Sequence, residues 1–156
     1  MVDRSLTVFA LRDWLCTCPL ICEDLARIDP VGQFVRSLAP DLVVALLFDG
    51  PQLTSRWPAH YATILADDPG SSVLTLTSLG MAKRSRMINS DQGDRNCTVI
   101  GLWRDSVSGA VEIRLPPGTD TALLTVHRQE VQVQTADGRR RSLNEGAPIF
   151  GGLHYF

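Results

Sequence analysis

The chain has 156 residues, 44% of them hydrophobic and 21% charged, with a formal net charge of −2. Those values suit one globular domain with a packed core, exclude wholesale disorder, and give no global electrostatic pull toward nucleic acid or an anionic membrane. No apolar run approaches the ~18–20 residues of a membrane-spanning helix, and residues 1–5 lack the basic start and apolar stretch of a secretory leader, so a soluble cytoplasmic protein with its four Cys mostly reduced is expected.

In chain order, residues 5–11 (SLTVFAL) are rich in apolar and β-branched types and predict a strand. Residues 19–22 (PLIC) predict the end of a second strand. Asp29 and Pro30 suit an N-cap and a first-turn proline, opening a helix through Val31, Phe34, Val35 and Leu38 that Pro40 ends. Residues 42–48 (LVVALLF) are continuously apolar, the pattern of a strand covered on both faces. After the Asp49-Gly50-Pro51 break, Trp57, Tyr61, Ile64 and Leu65 fit helical spacing, and Asp68-Pro69-Gly70 stops that helix. Residues 73–79 (VLTLTSL) predict a strand. This alternation of strands and helices predicts an α/β layer.

The second half changes character. Residues 81–97 are polar and predict a long loop. Strands are expected at 98–103, 110–115 and 122–127, with a fourth at 131–134, followed by a polar, flexible stretch at 137–145. Neither an internal repeat nor an inter-domain linker is evident, so 1–156 is read as one domain: an α/β part over 5–80, a polar loop over 81–97 and a mainly β part over 98–156.

Cys22 is the candidate nucleophile. It stands where a strand gives way to a helical segment, inside PLICEDLAR. A strand-to-helix turn presents a side chain at the carboxyl edge of a sheet, where α/β proteins build their sites. Backbone N–H groups there favour a thiolate and can hold a developing oxyanion. The competing reading is a buried structural thiol, the commoner fate of a free Cys. Glu23, adjacent in an extended chain, points to the opposite face from Cys22. Asp24 is expected to cap the turn or pair with Arg27.

The PLICEDLAR motif resembles the nucleophile motif of the nitrilase superfamily of carbon–nitrogen hydrolases: a strand, Ile-Cys, and an acidic residue within two positions. The Ile-Cys-Glu-Asp-Leu form is similar to the glutaminase domain of glutamine-dependent NAD synthetases. The resemblance continues through residues 41–48, 56–65, 70–80 and 97–109 in the family's order, and spans roughly residues 5–127. The family's later serine position is Cys97 here, and Ser106 stands where its Asp-Pro-x-Gly pattern has proline. The resemblance implies part of a nitrilase-like αββα sandwich with mixed sheet, acting on a small amide or nitrile through a Cys22 thioester, with no cofactor or metal. It also implies that the Glu23 backbone N–H helps form the oxyanion site. The family's Glu base and Lys come from strands before the nucleophile, and the twenty-one residues preceding Cys22 contain neither. They are therefore expected from outside this chain, on a complementing chain, a longer protein or an oligomer. The alternative is a catalytically silent interaction module. Residues 49–81 also resemble nitrilase-like regions fused to some bacterial reverse transcriptases of phage-defence systems, which would bring nucleic acid near through a larger assembly.

Other constellations are weaker. The chain has fourteen Arg and one Lys, so Lys83 is its only candidate catalytic lysine; it falls in the predicted loop and reads as a solvated surface residue. Cys16, Cys18 and Cys22 lack zinc-ligand spacing and read as core thiols. His60, His127 and His154 are scattered, without triad partners. Two basic clusters, Lys83 with Arg84 and Arg86, and Arg139 with Arg140 and Arg141, read as solvated loops, with phosphate contact as the alternative. Gly151-Gly152 reads as a turn signal, and Tyr155 and Phe156 as a partner-docking end or a cover for a sheet edge.

Overall fold

A computed structural model describes residues 5–88, 98–134, 140–144 and 146–156. The chain forms an α/β fold around a six-stranded mixed sheet with strand order β1-β2-β3-β4-β5-β6. The edge strand β1 (Phe9–Arg12) pairs antiparallel with β2 (Leu15–Ile21). A 3-10 turn (Cys22–Leu25) and a wide turn (Ile28–Gly32) lead into helix α1 (Gln33–Leu38). Strand β3 (Leu42–Leu46), helix α2 (Trp57–Asp67) and β4 (Ser72–Leu76) follow, and β2, β3 and β4 run parallel. After α3 (Leu79–Ile88), β5 (Val99–Asp105) and β6 (Gly109–Arg114) complete the sheet antiparallel. Two antiparallel ribbons stand apart from it: β7 (Ala122–His127) with β10 (Ile149–Tyr155), and β8 (Glu130–Gln134) with β9 (Arg140–Asn144). Among the described residues, no helix is long and apolar enough to cross a membrane.

Local chemistry explains the first crossover. Asp29 is extended (φ −125°, ψ 127°) and Pro30 begins the helical run, as the sequence predicts. The helix ends where Ala39 turns left-handed (φ +43°) and donates its N–H to the Val35 carbonyl at 2.9 Å. Pro40 lacks an N–H and cannot extend it.

The core lies on one face of the sheet. Cys18, Val43 and Val73 are register neighbours, as are Leu20 and Ala45, and all are buried. They meet Val35 of α1 and Ala59, Ala62 and Leu65 of α2 in a single apolar cluster. Burial raises the pKa of the Cys18 thiol, with a further contribution from neighbouring Cys16. A protonated, sealed thiol of this kind is a structural residue.

The other face is covered in part. Trp103 on β5 is fully buried there, and the segment before and into β10 crosses β4 and β5. The Ser72 hydroxyl donates to the Pro148 carbonyl, and the Phe150 amide donates to Asp105 Oδ2 at 2.8 Å. At the carboxyl ends of β2 and β3 the same face is open, although Thr17 further back on β2 is buried. Ile21 and Leu46 are register partners, 60% and 47% exposed, and Phe48 just beyond is 77% exposed. Residues 42–48 are thus fully covered on one face, while the second face is half-buried at Leu42 and Val44 and bare at Leu46 and Phe48. Their continuous apolarity does not distinguish a doubly covered strand from one whose second face is left partly bare.

Four further expectations are corrected. The first strand is Phe9–Arg12 rather than 5–11, and Leu6 packs against the core instead. The loop predicted from residue 81 is α3 as far as Ile88. Ser78 Oγ accepts the Met81 N–H at 3.2 Å, Ala82 is fully buried, and the run of Met, Ala, Lys and Arg favours helix despite its polarity. Residues 89–97, including Cys97, lie outside the described residues. The flexible stretch at 137–145 contains β9, with 137–139 and 145 outside the described residues. Gly151 and Gly152 are not a turn but lie within β10, at a register shift opposite Thr125. A Cβ on Gly151 would sit 2.7 Å from His127 Nε2 and 2.9 Å from the Thr125 carbonyl, so the strands close only on glycine. The terminal Phe156 amide donates to the Thr121 carbonyl at 3.0 Å and prolongs this pairing.

Asp105 is the buried polar anchor of the mainly β half. It accepts bonds from Trp103 Nε1 at 2.6 Å, the Val107 amide at 2.8 Å, the Phe150 amide and the Ser108 amide. Burial alone would raise its pKa, but these four donors together hold it below the ordinary carboxylate value. A depressed folded-state pKa contributes stability that is complete above the unfolded-state value and is lost as pH falls through the folded one. Asp105→Asn is expected to cost about 2 kcal/mol in urea unfolding at pH 7, with the gap to the parent chain narrowing below about pH 4. A gap of the same size at pH 3 and pH 7 would contradict this account.

Candidate active site

The parallel register β2–β3–β4 sets Ile21, Leu46 and Leu76 side by side, so three strands end at one edge. In open parallel sheets this carboxyl edge is where ligands bind. Cys22 is the first residue past β2. Its backbone is left-handed (φ +52°), while Ile21 before it is extended (φ −118°, ψ 118°). A residue with a Cβ pays roughly 1–2 kcal/mol for that conformation, and it turns the strand directly into the 3-10 turn. The nucleophile elbow of α/β-hydrolases has this geometry of strand, strained residue and helical turn.

Cys22 is half-buried and lines a cavity of about 800 Å³. The cavity is bounded by the 3-10 turn, by Ser5 and Leu6, by Val31 of the wide turn, and by Phe34 and Leu38 of α1. Its volume is in the range of small-molecule sites. Cys18, four residues earlier, faces the sealed core, so the chain reversal gives the two thiols opposite fates. Cys22 is not a strand residue and does not share a strand face with Cys16 and Cys18, as a strand through position 22 would require.

The charged groups at the mouth are Glu23, Asp24 and Arg27. The Glu23 side chain is 81% exposed and pairs with Arg27, Oε2 to Nη2 at 3.7 Å. Asp24 is therefore not the partner of Arg27: one helical turn places Arg27 over Glu23. Nor does Asp24 cap the turn through its side chain; its carbonyl accepts the Arg27 N–H at 3.3 Å. The open ion pair at the mouth contributes little stability. No Lys or His lines the cavity among the described residues. Lys83 and Arg84 are exposed on α3, away from it. His60, His127 and His154 lie on three separate elements, α2, β7 and β10. Arg140 and Arg141 are on β9, and Arg139 lies outside the described residues. Among the described residues, no group of three His, Cys, Asp or Glu side chains converges as a metal site would need.

Sequence reasoning missed the rest of the edge. After β3, Asp49 accepts bonds from the Gly50 amide at 2.7 Å, Arg56 Nη2 at 2.8 Å and Trp57 Nε1 at 2.9 Å, while its carbonyl accepts the Thr77 hydroxyl at 2.6 Å. This ties the loop after β3 to the start of α2 and the end of β4. The signal was present as an acid followed by Arg and Trp seven and eight residues later, but the spacing alone does not reveal which groups meet. The cavity wall on α1 was legible as an apolar stripe, though as core. In the structure only Val35 of that stripe is sealed, while Phe34 and Leu38 are exposed.

The chain matches no protein-family model, no curated protein and no solved structure.

The left-handed backbone at Cys22 has a measurable consequence. Glycine within an ordinary element is less stable than alanine by roughly 0.5–1 kcal/mol. At a left-handed position the order reverses. Cys22→Gly is expected to unfold at higher urea than Cys22→Ala, with a difference of roughly 0.5–1 kcal/mol. The opposite order would place position 22 in an ordinary backbone conformation.

Proposed function

We propose that this chain carries the nucleophile half of a carbon–nitrogen hydrolase of the nitrilase type. The observation that supports it most is the left-handed Cys22 at the carboxyl end of a parallel strand, opening into a cavity of small-molecule size. In this reading the Cys22 thiolate attacks the carbonyl carbon of an amide, or a nitrile carbon. For an amide, the tetrahedral intermediate collapses with cleavage of the C–N bond, the amine leaves protonated, and a thioester remains. Water then attacks the thioester, releasing the acid and restoring the thiol. A nitrile follows the same course through a thioimidate, whose addition of water and loss of ammonia give the thioester. The Glu23 amide is the proposed donor to the oxyanion.

A base must take the thiol proton and a cation must meet the oxyanion. Glu23 is exposed and engaged with Arg27, and no lysine lines the cavity among the described residues. Both groups are assigned to a complementing chain, a longer protein or a second copy, in the cytoplasm. The bare apolar face at the carboxyl ends of β2 and β3, with Ile21, Leu46 and Phe48 exposed, is the kind of surface that a complementing layer covers. The same observation favours the second reading: a catalytically silent nitrilase-like module that docks within a larger assembly, including a reverse-transcriptase defence complex.

The test is release of ammonia from a panel of short amides and nitriles by the chain purified with whatever chains accompany it. Hydroxylamine is added to trap the acyl group as a hydroxamate. Turnover is expected to fall at least about 10³-fold in Cys22→Ala, with loss of the hydroxamate. Turnover that survives Cys22→Ala would remove Cys22 from the chemistry. An assembly that forms without any turnover would establish the silent module instead.

A further inference from the structure

Granting a reactive Cys22, the lining of its cavity says what kind of acyl group it accepts. Three features bear on this. First, most of the lining is apolar, with Leu6, Ile21, Val31, Phe34 and Leu38; Ser5 and Ser37 are its uncharged hydroxyls, and that of Ser37 already donates to the Gln33 carbonyl. Second, Val31, Phe34 and Leu38 follow one another at i, i+3 and i+7, so they form a continuous stripe down the side of α1 and its leading turn. Val31 packs against the core, but Phe34 and Leu38 do not seal it: both are more than half exposed, whereas Val35, one position round the helix from Phe34, is 1% exposed. Third, the ionic groups sit at the mouth and sum to one negative charge, from Glu23 and Asp24 against Arg27, with Arg27 already facing Glu23. A negatively charged substrate finds no free cation there, and a polar chain finds few partners along the wall.

We infer that the Cys22 cavity is a specificity pocket for an uncharged, apolar acyl group of aromatic or branched-aliphatic type, with Phe34 and Leu38 on α1 as the residues that select it. The inference rests on the hydrolase reading for its chemistry but not for its test. An acidic or strongly polar acyl chain would leave its solvation shell without replacement bonds, whereas an apolar one gains contact along the α1 stripe.

The experiment is thiol alkylation of the full chain by three reagents with the same leaving group: N-benzyl iodoacetamide, iodoacetamide and iodoacetate. Peptide mass mapping separates Cys22 from Cys16, Cys18 and Cys97. Each rate is divided by that reagent's rate with a free small thiol, which removes intrinsic reactivity. At Cys22 the benzyl reagent is expected to gain roughly tenfold over iodoacetamide, the low end of what one apolar group contributes in a hydrophobic pocket, and iodoacetate to fall below both. Phe34→Ala and Leu38→Ala should each erase most of the benzyl advantage, read within each variant as the ratio of its benzyl rate to its own iodoacetamide rate. Both positions are exposed, so these variants are expected to fold. Efficient alkylation of Cys22 with no benzyl preference, or a preference unchanged in both variants, overturns the pocket assignment and leaves the nucleophile standing. Absence of Cys22 alkylation by all three reagents overturns the nucleophile and the pocket with it.

Discussion

The parallel pairing of β2 with β3 and of β3 with β4 is the constraint from which the site follows. It aligns the ends of three strands at Ile21, Leu46 and Leu76 and obliges each chain segment to turn away from the sheet at that edge. At β2 the reversal falls on a single residue. Cys22 takes the left-handed conformation that a side chain ordinarily avoids, and the 3-10 turn begins at once. A relaxed backbone there would continue the alternation of β2, in which Cys18 and Leu20 face the core. The same residue type at position 18 is consequently sealed among apolar neighbours, while at position 22 it lines a cavity. At β3 the reversal is held by hydrogen bonds rather than strain, with the Asp49 carboxylate gripping Arg56 and Trp57 at the entry to α2.

Burial is distributed unevenly across the sheet. Helices α1 and α2 close one face around Cys18, Val43 and Val73, and the crossing at Pro148 and Phe150 closes part of the other around Trp103. Asp105 makes that second closure specific: one buried carboxylate satisfies an indole N–H and three backbone amides from two separate segments. At the carboxyl ends of β2 and β3 nothing comparable covers the sheet among the described residues, and large apolar side chains meet solvent there. The uncovered face adjoins the edge that carries Cys22, since Ile21 belongs to both. Whatever layer covers that face also approaches the cavity mouth, and this is why the proposed hydrolase reading assigns its base and cation to that layer.

Much of this was legible from sequence, and the failures have physical causes. The strand–helix alternation of the first half, the Asp29–Pro30 helix start and the position of Cys22 at a strand's end follow from local patterns that tertiary contacts did not override. The helix α3 was hidden because Lys83, Arg84 and Arg86 make it polar, and polarity suggests a loop unless the Ser78 cap is given weight. Strand β10 was hidden because Gly151-Gly152 signals a turn by itself. Only the close approach of His127 and Thr125 explains glycine inside a strand. The uneven burial of residues 42–48 cannot be read from the residues, because a bare apolar face and a covered one have the same composition. Pairing at the site was likewise out of reach: Glu23 and Asp24 are equivalent candidates for Arg27 until the turn geometry selects Glu23.

The most direct measurement is a crystal structure of the full chain after treatment with excess iodoacetamide. The account predicts a carboxamidomethyl group on the sulfur of residue 22, lying in the space between the 3-10 turn and the Phe34 side of α1, on a backbone whose φ is positive. An unmodified sulfur turned into the packed interior, with an ordinary negative φ at that residue, would contradict it.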